Sequence, residues 1–247
     1  IKENRINKKI EYYPLKVNNC MNCGFKQLNY VVDPKILYQE DYPYESSLTK
    51  DGNNHFKEFA NSCKKKFSLN KIDIVVDVGS NVGNLLSHFK NIGIKTLGVD
   101  PAKNICQIAN KRGIKTINSF FNQKICHKIK RKYGRSKIIT WSNVFAHIDD
   151  LDEFFKSVKI LLKTDGVLIV EVPYFLNLIK NLEYDTIYHE HLSYITLLPL
   201  IKYLNKKNLE IFDVEEKDIH GGSIRIFIGI KKKFQKSKKL KKILIKE

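Results

Sequence analysis

The segment EYDTIYHEHLSYIT, from Glu183 to Thr196, concentrates side chains that handle protons. It holds three tyrosines, three carboxylates and two histidines, although the whole chain has only seven histidines. A histidine titrates near neutral pH, and a neighbouring carboxylate or tyrosine can orient it or donate to a developing negative charge. The segment therefore predicts acid–base chemistry, and the rest of the chain must supply the elements that position it.

The spacing of this segment bears on which histidine acts. If it were one helix, Tyr184, Tyr188 and His191 would share a face, whereas His189 would point elsewhere, since neighbouring residues diverge by about 100°. We therefore expect His189 to be structural. Two alternatives stay open: a His-x-His pair can bind a metal, and His191 can be an ordinary core or surface histidine. Three other histidines lie in Lys- and Asn-rich helical patterns and are expected to face solvent: His55, His88 and His127.

The composition describes a folded chain with a large positive charge. Its 247 residues, 43% of them hydrophobic, suffice for one large domain or two small ones. The net charge of +18 would suit nucleic acid, but 39 of the 44 basic residues are lysines, and residues 231–247 alone carry +8. Proteins that read base edges rely on arginine. We therefore favour a solvated lysine-rich surface over a nucleic-acid interface.

The sequence shows no sign of a membrane or an oxidising compartment. Its longest apolar run, 167–175, is interrupted by Glu171 and Pro173 and is too short to cross a bilayer. No secretory leader opens the printed chain, which begins at Ile1. The five cysteines are odd in number and unevenly spaced, which favours free thiols. We expect a cytoplasmic protein, and the oligomeric state stays open.

Strand and helix patterns alternate from Lys71 onwards, whereas residues 1 to about 65 show no sustained period. Amphipathic segments that end at Gly93, Gly113 and Gly166 predict helices. Short apolar runs predict strands in KIDIVVDVGS, TLGVD, TINSFF, KIITWSNVF, GVLIVEVP, LEIFDVEE and SIRIFIGI, the last two as an antiparallel pair. The alternation predicts an α/β fold with a doubly wound, mostly parallel sheet.

A glycine turn, DVGSNVG, follows the first of these strands. Small residues there let the backbone approach a ligand at a helix N-terminus. The second strand ends at Asp100, 21 residues after Gly79, where a carboxylate can accept hydrogen bonds from ribose hydroxyls. The G-x-G-x-x-G of NAD enzymes is absent, and Gly79-x-x-x-Gly83 is similar to the S-adenosylmethionine (SAM) turn of class I methyltransferases. A tight turn beside a surface aspartate is the alternative.

Four motifs, in this order, carry a resemblance to a known family: SNVFAHIDDLDEF, VEVPY, EYDTIYHEHLSY and DVEEKDIHGGS. Together with YYPLKVNNCMNCGFKQLNYVVDPKILYQEDYPYESS they resemble the nucleotide-sugar C-methyltransferases, which act on dTDP-linked 4-keto deoxysugars. The resemblance implies a Rossmann-like class I SAM-binding core, an N-terminal zinc-binding domain and a C-terminal domain that completes the substrate cleft. It divides the chain into a partial zinc-binding segment (1–65), the methyltransferase domain (66–232) and a basic linker (233–247).

The same resemblance implies residue roles. His191 is the base that removes the proton α to the ketone, Glu190 and Tyr188 support it, and the enolate carbon then attacks the SAM methyl group. Tyr42 and His147 match positions that face the sugar, and His220 precedes a Gly-Gly turn near it. Eight residues match cofactor positions: Asp77, Gly79, Ser80, Asn81, Gly83, Asp100, Phe120 and Asn143.

The chain departs from the family pattern in two places. The family's zinc site has four cysteines, and Cys20-x-x-Cys23 supplies only two of the ligands that a tetrahedral site requires. We expect the other pair before Ile1, so the chain is a piece of a longer enzyme. The remaining cysteines are expected to be buried. Val82 stands where the family usually has Asp, which we expect to affect cofactor affinity more than cofactor identity.

Two other functions remain open from the residues alone. A SAM site also suits methyl transfer to oxygen or nitrogen of a small molecule, which requires only the deprotonation of an acidic group. The net charge and Val82 would also fit a degenerate methyltransferase fold that binds nucleic acid.

Overall fold

The computed structural model describes residues 12–38 and 49–247. Its larger sheet has seven strands in the order β5 (Thr116–Asn118), β4 (Lys95–Asp100), β3 (Ile74–Val78), β6 (Ser136–Ser142), β7 (Leu162–Pro173), β10 (Ser223–Ile230) and β9 (Leu209–Lys217). A second, three-stranded antiparallel sheet joins β1 (Val17–Asn19), β2 (Lys26–Leu28) and β8 (Ser193–Tyr194).

The helices of the described residues connect and cover these strands. They are α1 (Pro34–Tyr38), α2 (Lys50–Lys66), α3 (Asn84–Asn91), α4 (Lys103–Lys111), α5 (Gln123–Tyr133), α6 (Leu151–Leu161), α7 (Phe175–Asn181), α8 (Leu197–Asn205) and α9 (Lys238–Leu244). Short 3-10 helices span Phe145–His147 and Tyr184–Thr186.

The large sheet is wound in both directions from β3. Strands β3 to β7 pair in parallel, and β10 is antiparallel to both of its neighbours. The chain runs outward through β4 and β5 and then returns to β6 on the other side of β3. Such a reversal leaves a crevice beyond the carboxyl ends of the central strands, where α/β proteins bind ligands. The predicted α/β sheet and its antiparallel final pair are confirmed.

The core lies on both faces of this sheet because its central strands are buried on both sides. Val75 and Ile138 pack with α2 and α3, whereas the adjacent Val76 and Ile139 pack with α5, α6, α8 and α9. This alternation follows from the two-residue period of a strand. The sheet thus lies between two layers of helices, and its carboxyl edge can carry functional groups.

Several predicted boundaries are wrong. Residues 50–66 form the helix α2, which the sequence pattern missed because lysine and asparagine dominate it; Phe59, Ala60 and Cys63 still make a buried stripe. Gly166 lies inside β7, since α6 ends at Leu161 and the chain enters the strand at once. The NVF of KIITWSNVF leaves β6 and enters a 3-10 helix.

The basic C-terminal stretch is also structured. Its helix α9 begins after Ser237, whose hydroxyl accepts from the Leu240 N–H, and buries Leu240 and Ile243 in the main core. The proposed division of the chain at residues 65 and 232 stays a prediction.

Three cysteines are buried, as predicted. Cys63, Cys106 and Cys126 are free thiols, and burial raises the pKa of each to about 12, so they are inert as nucleophiles. In the part of the chain that the structure describes, no helix combines the length and apolar character needed to cross a membrane.

Candidate active site

A cavity of about 1000 Å³ lies beyond the carboxyl ends of β3, β4 and β6. The turn after β3 lines it, as do the last two residues of β6 and most of residues 143–150, which follow that strand. Residues between 31 and 38, the segment 119–121, the first turns of α2 and the loop after β9 also line it. Its position is the crevice that the winding of the sheet creates.

The turn after β3 requires glycine at both ends of its motif. Gly79 has φ +64°, and a Cβ there would lie 2.6 Å from Cγ2 of Val144. Gly83 has φ +82°, and its Cβ would lie 2.6 Å from Cγ2 of Ile114. Only glycine combines this conformation with so close an approach. The Gly79-x-x-x-Gly83 spacing is therefore explained by packing as well as by room for a ligand.

Two carboxylates fix the strand ends beside this turn. Asp77 is buried and accepts from the Thr140 hydroxyl at 2.6 Å; burial raises its pKa to about 7, with the Thr140 hydrogen bond opposing. Asp100 accepts from the backbone N–H groups of Asn81 and Ala102, each at 2.9 Å. Burial raises the pKa of Asp100, and these two hydrogen bonds oppose the rise. Asp100 thus ties the turn to β4 and still has lone pairs for a ligand.

Val82 is not among the described residues that line the cavity. Its side chain is buried against Ala102 and Ile105, and its effect on cofactor affinity stays a prediction. The neighbouring Asn81 faces the cavity instead, with a positive φ of 50°. Phe120 and Asn143, two of the expected cofactor positions, also line the cavity.

Several polar atoms of the cavity wall are buried and have no partner among the described residues. They are Ser80 Oγ, Trp141 Nε1, Ser142 Oγ, Asn143 Oδ1 and His147 Nε2. Buried polar groups are nearly always hydrogen-bonded in native proteins, and an unsatisfied one costs about 1–3 kcal/mol. Five such atoms around one cavity indicate that a polar ligand completes them.

The charge of the cavity is opposite to that of the chain. Its described lining residues include neither lysine nor arginine, and seven of them are carboxylic acids: Asp51, Asp77, Asp100, Asp149, Asp150, Glu153 and Asp218. A low-dielectric cleft of one sign attracts the opposite charge. The cavity therefore favours a cationic or neutral ligand, and phosphate-driven nucleic-acid binding does not fit it.

The tyrosine–histidine segment turns at the edge of this cavity and is not one helix. A 3-10 helix, Tyr184–Thr186, is followed by a turn in which the N–H of His191 donates to the carbonyl of Tyr188 at 3.0 Å. That turn brings the Tyr188 hydroxyl 3.1 Å from Nε2 of His191, while Nδ1 lies 2.7 Å from the Thr186 carbonyl oxygen. Tyr188 and His191 therefore meet through a turn, not through a helical face.

His191 lies against His147, which lines the cavity. Their ring centroids are 5.3 Å apart. Burial lowers the pKa of His191, with the hydrogen bond to Thr186 opposing. Burial, helped by His191, lowers the pKa of His147 to about 3. The Tyr38 hydroxyl lies 3.2 Å from Nδ1 of His147. Both imidazoles are thus neutral near pH 7 and can accept a proton or hydrogen bond.

The other predicted residues of this cluster lie around it. His189 lines the cavity, and its Nε2 lies 3.3 Å from the carbonyl oxygens of Tyr13 and Pro14. Glu190 is half-buried in the turn between the two histidines. His220 lines the cavity from the loop after β9. Tyr42 lies outside the described residues.

A buried ion pair beside the cavity was not predicted. Glu171 of β7 is fully buried, and its Oε2 accepts from Nε and Nη2 of Arg225, both at 2.7 Å. Its Oε1 lies 2.6 Å from Nε2 of His55, a cavity residue. The prediction that His55 faces solvent is therefore wrong, since its side chain is only 12% exposed. The available signal was a single charge inside each of the apolar runs GVLIVEVP and SIRIFIGI.

The two remaining histidines of that prediction differ. His88 is half-buried, with Nε2 3.0 Å from Oδ1 of Asn53, so its solvent-facing assignment is wrong in part. His127 is exposed, as expected.

The Cys20–Cys23 pair forms a tight turn. The Gly24 N–H donates to the Cys20 carbonyl at 2.8 Å, and backbone N–H groups of Cys23 and Asn22 lower the pKa of the Cys20 thiol. Within residues 12–38 and 49–247, no group of three or more His, Cys, Asp or Glu side chains could hold a metal. Two thiols fill half of a tetrahedral zinc site, so the described residues do not by themselves fit zinc.

The sequence matches known methyltransferases. Residues 52–214 match the family described as a methyltransferase domain. The chain is 37% identical over 215 residues to the C-methyltransferase NovU of Streptomyces niveus, a match covering 87% of this chain and 51% of that protein. The chain thus spans about half the length of this curated relative.

Solved structures share the architecture. A SAM-dependent methyltransferase from Anabaena variabilis superposes with a TM-score of 0.56 at 16% identity, covering 73% of this chain and 86% of that one. Magnesium protoporphyrin IX methyltransferase from Synechocystis, solved with bound SAH, gives 0.53 at 12% identity, covering 76% and 89%. At such identities the likeness concerns the fold alone.

Proposed function

The chain belongs to the methyltransferase domain family and has the Rossmann-like fold of class I SAM-dependent methyltransferases, and from this premise we propose that it methylates a carbon atom of a nucleotide-linked 4-keto deoxysugar. The observation that carries the proposal is the neutral His191, whose Nε2 lies at hydrogen-bond distance from Tyr188 and whose ring contacts the cavity wall at His147. A carbon acceptor requires such a base, because a C–H bond next to a ketone must first lose its proton.

SAM supplies an electrophilic methyl group on a sulfonium cation when it is bound. In the proposal the ribose hydroxyls of SAM would hydrogen-bond to Asp100. The glycine turn at Gly79 would let the cofactor approach the protein backbone closely. The unpartnered Ser80 and Asn143 side-chain oxygens are further candidates for its polar groups. The carboxylate-rich lining, which holds no lysine or arginine in its described part, suits the sulfonium charge.

In the proposed reaction His191 takes the proton through Nε2. Its Nδ1–H already donates to the Thr186 carbonyl, because a carbonyl can only accept, so the neutral ring carries its free lone pair on Nε2. The Tyr188 hydroxyl occupies that lone pair in the absence of substrate and can turn to donate to the enolate oxygen. In the proposal His147 contacts the sugar through Nε2, which is buried and has no partner among the described residues.

The nucleotide-sugar part of the proposal rests on relatives and on charge. The relative NovU is a C-methyltransferase, and the motifs around His147 and His191 resemble the sugar-modifying family. Because the described lining has no lysine or arginine, the sugar would enter the cavity and its diphosphate would stay outside.

The deciding experiment is mass spectrometry of a dTDP-linked 4-keto-6-deoxyhexose incubated with SAM and the full-length protein in deuterated water. The proposal expects one methyl group on carbon, and solvent deuterium at that carbon in recovered substrate. A methyl group found on oxygen or nitrogen would replace the proposal with methyl transfer to a heteroatom, which requires no enolate. SAM binding without methylation of any 4-keto sugar tested would overturn the sugar assignment.

A further inference from the structure

The buried pair of Glu171 and Arg225 is arranged unlike a purely structural ion pair. An arginine that only neutralises a carboxylate commonly engages both oxygens in a fork. Here Nε and Nη2 of Arg225 both lie 2.7 Å from the same oxygen, Oε2. The second oxygen is left to His55 at 2.6 Å. One carboxylate thus connects the protein core to a histidine of the cavity wall.

The surroundings hold this arrangement in place. Arg225 is 2% exposed, stacks 3.6 Å above the Phe59 ring and has Glu215 at 3.6 Å on its other side. A buried ion pair adds little net stability compared with apolar residues of the same size, because desolvation offsets the attraction. Its presence next to a ligand cavity therefore favours a role in positioning a side chain.

The pair determines which nitrogen of His55 carries the proton. An ionised carboxylate only accepts, so Nε2 of His55 donates to Glu171. Nδ1 of His55 is then the ring nitrogen that is left for a ligand. Nη2 of Arg225 lies 3.3 Å from the same Nε2.

His55 shares the cavity with the residues that the proposed function assigns to the acceptor. His55 and His220 both line it, and the ring of His191 lies against that of His147, another lining residue. Burial is the main cause that lowers the pKa of His220, with Glu171 opposing. The Gly79 turn and Asp100, where the cofactor ribose is proposed, line the same cavity.

We propose that His55 is a substrate-contacting residue that accepts, through Nδ1, a hydrogen bond from a hydroxyl group of the methyl acceptor, and that Glu171 is its positioning residue. The inference rests on the proposed function, since it assigns the acceptor a hydroxyl within reach of His55. It adds a specificity contact separate from the base. An acceptor that lacks this hydroxyl would leave Nδ1 unpaired and would be discriminated against.

The first test reads the imidazole directly by 15N NMR of the full-length protein with labelled histidine, in which His55→Gln assigns the resonance. We expect an Nε2–H, unprotonated Nδ1 pattern that SAH leaves unchanged and that a dTDP-linked 4-keto-6-deoxyhexose shifts. A shift caused by SAH alone would make His55 a cofactor contact and overturn the inference. A sugar that is methylated without moving this resonance would also overturn it.

The second test is a double-mutant cycle on kcat and KM. His55→Gln should lower kcat/KM about tenfold with SAH affinity unchanged, because it loses one neutral hydrogen bond, whereas the matched control His88→Gln should change neither. If Glu171 acts through His55, Glu171→Gln should add little in the His55→Gln background. Fully additive losses would make Glu171 merely structural. Glu171→Asp replaces Glu171→Gln if the latter does not fold.

The two failures are distinguishable. If the wild-type protein binds SAH but methylates none of the 4-keto sugars, the proposed function fails and this inference falls with it. If wild type methylates a sugar and His55→Gln does so within about twofold of the same kcat/KM, only the inference fails.

Discussion

The hydroxyl of Tyr188 lies 3.1 Å from Nε2 of His191, the one ring nitrogen that can take a proton. The opposite nitrogen is committed to the Thr186 carbonyl at 2.7 Å. The Tyr188 hydroxyl therefore donates to the lone pair that the proposed base would use, and a substrate C–H must displace this hydroxyl before it can lose its proton. We therefore expect the two histidines of the segment to differ in their effect on methylation.

Replacing His191 should stop carbon methylation, whereas replacing His189 should not. His191→Gln loses the proton acceptor, and general-base catalysis contributes about 10²–10⁴-fold. His189→Gln loses contacts to the carbonyls of residues 13 and 14 and to the Tyr13 ring, and should stay within about tenfold of wild type. Methyl transfer and SAH binding are measured together for both. Equal losses in the two variants would contradict the assignment of His191 as the base.

The pH profile of kcat/KM should have its acid limb below pH 6.5. Burial lowers the pKa of His191 from the ordinary 6.5, so its base form persists into mildly acidic solution. Activity is therefore present above the shifted pKa and is lost as the pH falls through it. Steady-state rates between pH 4.5 and 8 would show this, with the pH-stability of the fold followed by circular dichroism. An acid limb above pH 7 would point to a different base.

Cofactor binding should be visible in the fluorescence of Trp141, the single tryptophan of the chain. This residue is 5% exposed, lines the cavity and has an indole N–H without a described partner. SAH should change its emission, and Asp100→Asn should weaken the affinity about tenfold to a hundredfold through the loss of charged hydrogen bonds. Asp165→Asn, an exposed change remote from the cavity, is the control. Unchanged affinity in Asp100→Asn would remove Asp100 from the cofactor site.

Gly79→Ala should destabilise the protein more than Gly93→Ala. Both glycines have positive φ, 64° and 84°, and an alanine in that conformation costs about 1–2 kcal/mol. A Cβ at Gly93 meets nothing within 4 Å, whereas at Gly79 it meets Val144 at 2.6 Å, so overpacking adds about 1–3 kcal/mol. The difference between the two variants in the free energy of unfolding, measured with urea, gives the contribution of the Val144 contact. Equal losses of unfolding free energy would mean that Val144 shifts to accommodate the new Cβ without destabilising the fold.

Asp77→Asn should stabilise the unliganded protein at alkaline pH. The folded pKa of Asp77 is about 7, above the unfolded value of 3.8, so the folded state holds a proton that the unfolded state has released. The stability that this carboxyl contributes is complete below pH 3.8 and is lost as the pH rises through 7, by at most about 1.4 kcal/mol per unit. The variant's advantage in urea unfolding should therefore grow between pH 4 and 7. A difference independent of pH would contradict the raised pKa.

Much of the fold was accessible from the sequence because it depends on local patterns. The strand that ends at Val78, the one that ends at Asp100 and the glycine turn at Gly79 all follow from β-branched runs and glycine spacing. Helix α2 was missed, because lysines and asparagines surround its few buried positions and only packing against α3 selects them.

The sequence by itself determined the alternation of strands and helices, the glycine turn and the candidate histidines, since these depend on residue type and short spacing. Only the tertiary structure decided what each side chain meets. It bent the tyrosine–histidine segment so that Tyr188 reaches His191, turned Val82 into the core and brought His55 to Glu171 across 116 positions of the chain. Hydrogen bonds, burial and charge between residues so far apart depend on the packing of the whole sheet, and no local pattern encodes them.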